Sequence, residues 1–216
     1  MKVREWETWD VADWEVVADE PRGKRLKDWR RAPDGSVWLC KRALKKKAQE
    51  KRPARLRAFE PVVECIALRA AEASGLDVPE SQPCFVVDHG IRSHALVTRR
   101  FLDIPRESLT DGAALLEAQD AEYDRNDHGM HTLHRVLTCL RQDAYRHLVK
   151  PFIQLMLFDA WIGNSDRHQE NWGVITSRGT SPRLAPVFDV GSCLGSELAE
   201  NAAVFLEGPA NVGLRR

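Results

Sequence analysis

The sequence predicts an α+β chain, β-rich in its first part and mainly helical in its second, and three observations carry that reading. A short apolar strand over residues 36–43, Ser-Val-Trp-Leu-Cys-Lys-Arg-Ala, holds one interior lysine, Lys41. A helical stretch running from Glu60 to Gly75 places Glu64 beside an apolar stripe. Further on, Asn164-Ser165-Asp166-Arg167-His168-Gln169-Glu170-Asn171 sets an Asp five positions before an Asn, and Val187-Phe188-Asp189-Val190-Gly191 sets a second Asp 18 residues beyond that Asn. This order of parts predicts a two-lobed protein-kinase-like fold. A small β-rich N-lobe is expected over residues 1–101 and a mainly helical C-lobe over residues 102–216.

Composition narrows the class. At 216 residues the chain suits one compact unit of two lobes with room for a core. Charged residues make up 30% and the formal net charge is zero, so the chain as a whole gives no electrostatic case for nucleic acid. The five cysteines (Cys40, Cys65, Cys84, Cys139, Cys193) are scattered and form no C-x-x-C pair. They read as reduced, buried thiols of a cytoplasmic protein rather than a disulfide framework or metal cluster. The charged start Met1-Lys2-Val3-Arg4-Glu5 leads into no apolar leader, and no window approaches a membrane span. Five of the seven tryptophans fall within the first 38 residues, which points to a small aromatic core.

Along the chain, Glu20 to Lys27 occupies the place of a phosphate-covering loop. It carries a single glycine and four basic residues, so Gly23 and Lys24 are candidate phosphate contacts, while a solvated basic turn explains the composition equally well. Lys41 on its strand can reach the α and β phosphates of a nucleotide if a Glu from the next helix holds it; the plainer role is an edge-strand lysine that blocks aggregation. Residues 41–57 then carry nine Lys or Arg, a charge run of the kind found on solvated surfaces or opposite an acidic partner. In the following helix Pro61 suits the first helical position and Gly75 the C-terminal cap. Val63, Ile66, Ala67 and Ala70 recur at helical spacing, and Glu64, a turn inside, is the expected partner of Lys41; Glu60 competes but sits at the cap.

Residues 84–88 and 94–98 read as two strands around a turn at Gly90, from which Arg99-Arg100-Phe101 leads away as a hinge where adenine would bind. Residues 111–127 are acidic and expected to be partly flexible. Helical patterns follow over 131–148 and 151–162, the second opened by Pro151. His131, His134 and His147 lack carboxylates at metal-ligand spacing and read as ordinary surface or core histidines. Two short strands, Trp172 to Ile175 and Arg183 to Phe188, are joined by a Ser/Gly/Thr/Pro turn and carry Asn171 and Asp189 at their mouths.

The chemistry of these residues is consistent with their spacing. In phosphoryl transfer an Asp orients the attacking hydroxyl, while an Asn and a second Asp hold magnesium against the phosphates. A polar turn after a helix accounts for Asn164 and Asp166 separately, but not for Asp189 at the right distance.

The stretches FDAWIGNSDRHQENWGVI and RLAPVFDVGSCLG resemble the HipA-like serine/threonine kinases, atypical bacterial kinases that are often the toxin half of a toxin–antitoxin pair. The D-R-H-x-x-N element is also similar to that of the phosphatidylinositol 3/4-kinase superfamily, so the motif alone leaves protein and lipid substrates open. The resemblance implies Asp166 as the catalytic Asp, with Arg167 and His168 supporting the loop or the transferring phosphate, and Asn171 and Asp189 as magnesium ligands. It implies ATP and Mg²⁺ as cofactors, a protein with a Ser/Thr acceptor as substrate, and an antitoxin-type protein as partner. It is dense over residues 152–195 and thinner over 36–101. Only 27 residues follow Asp189, where HipA-like kinases continue with further helices, so the expectation is a minimal or shortened C-lobe. A non-catalytic ATP-binding or partner-binding module is the competing class.

Overall fold

The computed structural model describes residues 7–20, 26–42, 44–45, 56–57, 60–88 and 90–196. Its strands are β1 (Trp9–Asp10), β2 (Glu15–Asp19), β3 (Lys27–Arg31), β4 (Val37–Arg42), β5 (Leu44–Lys45), β6 (Leu56–Arg57), β7 (Ser81–Asp88), β8 (Ile91–Arg99), β9 (Glu107–Asp111), β10 (Gly173–Ser177) and β11 (Arg183–Leu184). The helices are α1 (Glu60–Ala73), α2 (Gly112–Glu117), α3 (Leu133–Leu140) and α4 (Val149–Ile162). Six strands form one sheet in the order β1-β7-β8-β4-β3-β2, antiparallel except for the parallel β1/β7 pair. A second sheet runs β11-β10-β9, and β5 pairs with β6.

The two-residue period of a strand decides which face Lys41 takes. Residues directly opposite each other share a face, and Lys41 lies opposite Leu96 while Cys40 lies opposite Val97. Cys40 and Val97 join Trp38, Cys84 and Val86 in a core on one side of the sheet. Trp9, Trp14 and Trp38 pack together there, with ring centroids 5.3–6.1 Å apart, as the tryptophan-dense start of the chain predicts. Leu96 belongs instead to the larger core, with Cys65, Ala67 and Leu68 of α1, Leu140 of α3, and Phe152, Leu155 and Phe158 of α4. Lys41 therefore faces α1.

Helix α1 ends as its sequence predicts. Gly75 takes a left-handed φ of +80°, with Leu76 N–H donating to Ala71 O and Gly75 N–H to Glu72 O, both at 3.0 Å; together they form a Schellman cap. Its buried face differs from the expected stripe. Glu64, Cys65, Ala67, Leu68 and Ala71 are buried, Val63 and Ala70 only half-buried, and Ile66 is exposed. The packed face is thus centred on Glu64 rather than beside it.

Other elements also differ from what the sequence predicts, among them the strand expected over Arg183 to Phe188, which is confined to Arg183–Leu184. The pattern over 131–148 is not one helix: α3 starts after Thr132, whose hydroxyl accepts from Arg135 N–H at 3.3 Å, and ends at Arg141. A turn closed by Tyr145 N–H to Gln142 O then leads into a 3₁₀ turn over Arg146–Leu148, and α4 begins at Val149, ahead of Pro151. The stretch expected to be flexible contains α2, capped by the Asp111 carboxylate, which accepts from Ala114 N–H at 2.8 Å. Strand β9 carries no strand signal of its own, because Glu-Ser-Leu-Thr-Asp has one apolar residue; pairing with β10 defines it. All five cysteines are free and buried. Among the described residues no helix is long and apolar enough to cross a membrane.

Candidate active site

Lys41 and Glu64 meet in the gap between β4 and α1. Lys41 Nζ lies 2.6 Å from Glu64 Oε1, with the two residues 4% and 1% exposed. In a pair this dry each charge compensates the other. Lys41 Nζ also reaches Asp189 Oδ1 at 3.3 Å, which joins the strand to a residue 148 positions later. Asp189 adopts φ +55°, the left-handed region. A non-glycine residue held there carries local strain of about 1–3 kcal/mol, and such residues concentrate at functional sites.

Residues 164–171 turn sharply out of α4. Gly163 supplies a φ of +64°, and Asn164 N–H donates to Asp159 O at 2.9 Å, which ends the helix. Within the loop His168 N–H donates to Asp166 O at 2.9 Å, and Asn171 Nδ2 donates to the same carbonyl at 2.6 Å. The Asp166 side chain is exposed and forms no hydrogen bond or ion pair among the described residues. The loop therefore fixes the Asp166 backbone and leaves its carboxylate open to an incoming group. Asn171 is buried, and its amide NH₂ is committed to a backbone carbonyl, so its Oδ1 is the atom left for a ligand.

Arg167 points inward. Its Nε and Nη2 fork onto the two carboxylate oxygens of Asp159 at 2.7 and 3.0 Å, and Nη1 donates to the carbonyls of Asn171 and, at 3.2 Å, of Phe188. One guanidinium thus ties α4, the Asp166 loop and the residue before Asp189. Asp159 was not singled out in the sequence, although a lone carboxylate inside the apolar run Phe152 to Ile162 is a signal. His168 accepts Glu170 N–H on Nδ1 at 3.2 Å, and its ring lies 6.5 Å from that of His128.

The remaining expected site residues fall elsewhere. Gly23 and Lys24 lie outside the described residues. Arg99 pairs with Glu80 at 3.0 Å, and Arg100 N–H continues the sheet by donating to Val37 O. Both help line a cavity of about 330 Å³ with Asp77, Glu80, Phe101 and Arg183, a cavity that Lys41, Asp166, Asn171 and Asp189 do not line. Phe101 reaches the cluster indirectly: its ring stacks 6.0 Å from that of Phe188, next to Asp189.

His131 ties a neighbouring segment to this loop, its Nε2 accepting Trp172 Nε1–H at 3.1 Å. Burial first, then the nearby His168 and His128, hold the His131 imidazole below its ordinary value of 6.5. The unfolded chain takes up that proton at the ordinary value and the folded chain only at lower pH, so stability falls as pH drops below 6.5. The expected result is a denaturant midpoint that declines through this range in the wild type and declines less in His131→Gln. Parallel profiles for the two proteins would show that another group governs the loss.

Comparison with known proteins supplies the context for this geometry. The model of the HipA-like C-terminal domain family matches residues 15–208. "Putative kinase Y4dM" of Sinorhizobium fredii is 30% identical over 144 residues, covering 60% of this chain and 33% of that protein. The serine/threonine-protein kinase CtkA of Helicobacter pylori is 38% identical over 56 residues, covering 23% of this chain and 17% of that protein. The crystal structure of CtkA, a proinflammatory kinase, superposes with a TM-score of 0.65 at 20% identity, over 93% of this chain and 64% of that one. The chain thus matches only part of the length of each of these proteins and shares the kinase-like fold of the solved one. With the family model running from β2 past the Asp189 turn, the chain belongs to the HipA-like C-terminal domain family.

Proposed function

We propose that this chain is an ATP- and magnesium-dependent kinase that transfers phosphate to Ser or Thr of a protein. The observation that carries the reading is the contact of Lys41 with both Glu64 and Asp189, at 2.6 and 3.3 Å, in a chain whose Asp166 carboxylate stands open at the end of α4. The donor set suits a hard divalent cation, which takes oxygen ligands: the Asn171 amide presents its carbonyl oxygen, and Asp189 contributes a carboxylate. Asn171 and Asp189 would hold magnesium, whose charge would offset that of the phosphates. Lys41, oriented by Glu64, would bind the α and β phosphates, and Asp166 would accept the hydrogen bond of the acceptor hydroxyl and orient it for attack. Positioning and electrostatics supply most of the catalysis in this class of reaction.

Residues 1–101 and 102–216 are proposed as the two lobes, with Phe101 between them and the adenine expected nearby. The Ser/Thr acceptor is supported by the CtkA similarity. A role as the toxin of a toxin–antitoxin pair, with an antitoxin-type partner, is supported by the family resemblance. A cytoplasmic setting fits the five free buried thiols.

The test is incubation with Mg·ATP and a mixed Ser/Thr peptide pool, read by mass spectrometry of both protein and peptides. Wild type should transfer phosphate. Asp166→Asn should lose transfer by at least about a hundredfold while still binding ATP. ATP binding by the wild type with no transfer to protein or peptide would instead identify a non-catalytic nucleotide-binding module.

A further inference from the structure

The residues flanking Asn171 are held from outside the loop in a way that the proposed chemistry does not account for. Gln169 lies two positions before Asn171 and Trp172 one position after it, and both are buried. The first turn of α2 donates to each: Ala113 N–H to Gln169 O at 3.0 Å, and Gly112 N–H to Trp172 O at 2.9 Å. The segment 125–131 then takes hold of each side chain. Gln169 Nε2 donates to Arg125 O at 2.8 Å, and Trp172 Nε1 donates to His131 Nε2 at 3.1 Å.

Close packing fixes the arrangement further. A Cβ on Gly112 would fall 2.2 Å from Cε2 of the Trp172 indole, so only glycine lets α2 approach that ring. Phe152 of α4 packs edge-on against the indole, its ring centroid 4.9 Å away. Trp172 is therefore held by α2 at its backbone carbonyl, by His131 at its nitrogen and by α4 at its ring. None of these contacts reaches Asp166 or Lys41. They bracket Asn171, with Glu170 as its one companion between the two held residues.

We infer that Gly112 and His131 are positioning residues for Asn171, acting through Trp172 to set the amide oxygen that the proposed function assigns to the metal. The inference rests on that reading of Asn171. Neither residue touches nucleotide or metal; each keeps a neighbour of the ligand in one place. Residues of this outer kind typically govern metal affinity about ten- to a hundredfold.

The experiment uses the full chain saturated with a non-hydrolysable ATP analogue and follows Mn²⁺ binding by electron paramagnetic resonance. His131→Leu removes the acceptor, His131→Gln restores one, and Gly112→Ala displaces the indole directly. In His131→Leu the Mn²⁺ affinity should fall about tenfold while metal-free analogue affinity stays at the wild-type level. His131→Gln should recover most of that loss. A merely structural role would lower the melting temperature of His131→Leu and leave its Mn²⁺ affinity unchanged; that result would overturn the inference. If Gly112→Ala proves unfolded, the His131 pair still decides. Asn171→Ala separates the two levels: Mn²⁺ affinity undiminished there removes Asn171 as a ligand, and the inference falls with the reading beneath it.

Discussion

Lys41→Met is expected to cost the fold about 3–5 kcal/mol, as well as abolishing phosphate transfer. The size of the effect follows from burial. Glu64 is 1% exposed and its partner Nζ lies 2.6 Å away, so removing the ammonium leaves a carboxylate in the core of α1 without that charge opposite it. Methionine fills most of the volume, which keeps a cavity from being the cause. The double variant Lys41→Met with Glu64→Leu should recover most of the stability, since replacing both members of a buried ion pair with apolar groups is often neutral. It should not recover transfer, because the phosphate contact stays missing. Denaturant unfolding of the three proteins beside a transfer assay separates the effects. A single variant within about 1 kcal/mol of wild type would mean the pair is more hydrated than its geometry shows.

That pair was legible in the sequence because each half carries its own local signal. An interior lysine in a six-residue apolar strand and a Glu one turn past Pro61 both stand out from their neighbours. The loop was legible for the same reason, since Asp166 and Asn171 lie in one short stretch of chain and their order is a motif. Asp159 was not, because its function is visible only when the chain folds back: Arg167 reaches it from eight residues later, and Phe188 shares the same guanidinium. Strand β9 escaped because its identity comes from pairing with β10 and not from apolar alternation. The break in the 131–148 helix escaped because Arg141 to Tyr145 contains neither Gly nor Pro, so the turn has no local punctuation. What the sequence hides here is partnership that only folding brings about, as between Asp159 and Arg167.

Arg167→Met should destabilise the chain by about 3–5 kcal/mol, because it takes the guanidinium charge from the buried Asp159 carboxylate and leaves it the neutral Asn164 amide at 2.8 Å. Two roles for Arg167 make opposite forecasts for the milder change, Arg167→Lys. If the guanidinium served the transferring phosphate, lysine would lower turnover and leave stability near wild type. In the structure Arg167 instead spends Nε and Nη2 on Asp159 and Nη1 on the carbonyls of Asn171 and Phe188, with its side chain 6% exposed. An ammonium cannot fork onto both carboxylate oxygens and still reach both carbonyls. Arg167→Lys should therefore lose stability, with a cost between those of wild type and Arg167→Met. Asp159→Asn should lose a comparable amount, since it keeps the shape but leaves the guanidinium charge uncompensated. The expected coupling between Asp159 and Arg167 in a double-mutant cycle is at least about 1 kcal/mol. A cycle near zero, with turnover falling in Arg167→Lys at unchanged stability, would move Arg167 from the scaffold to the phosphate.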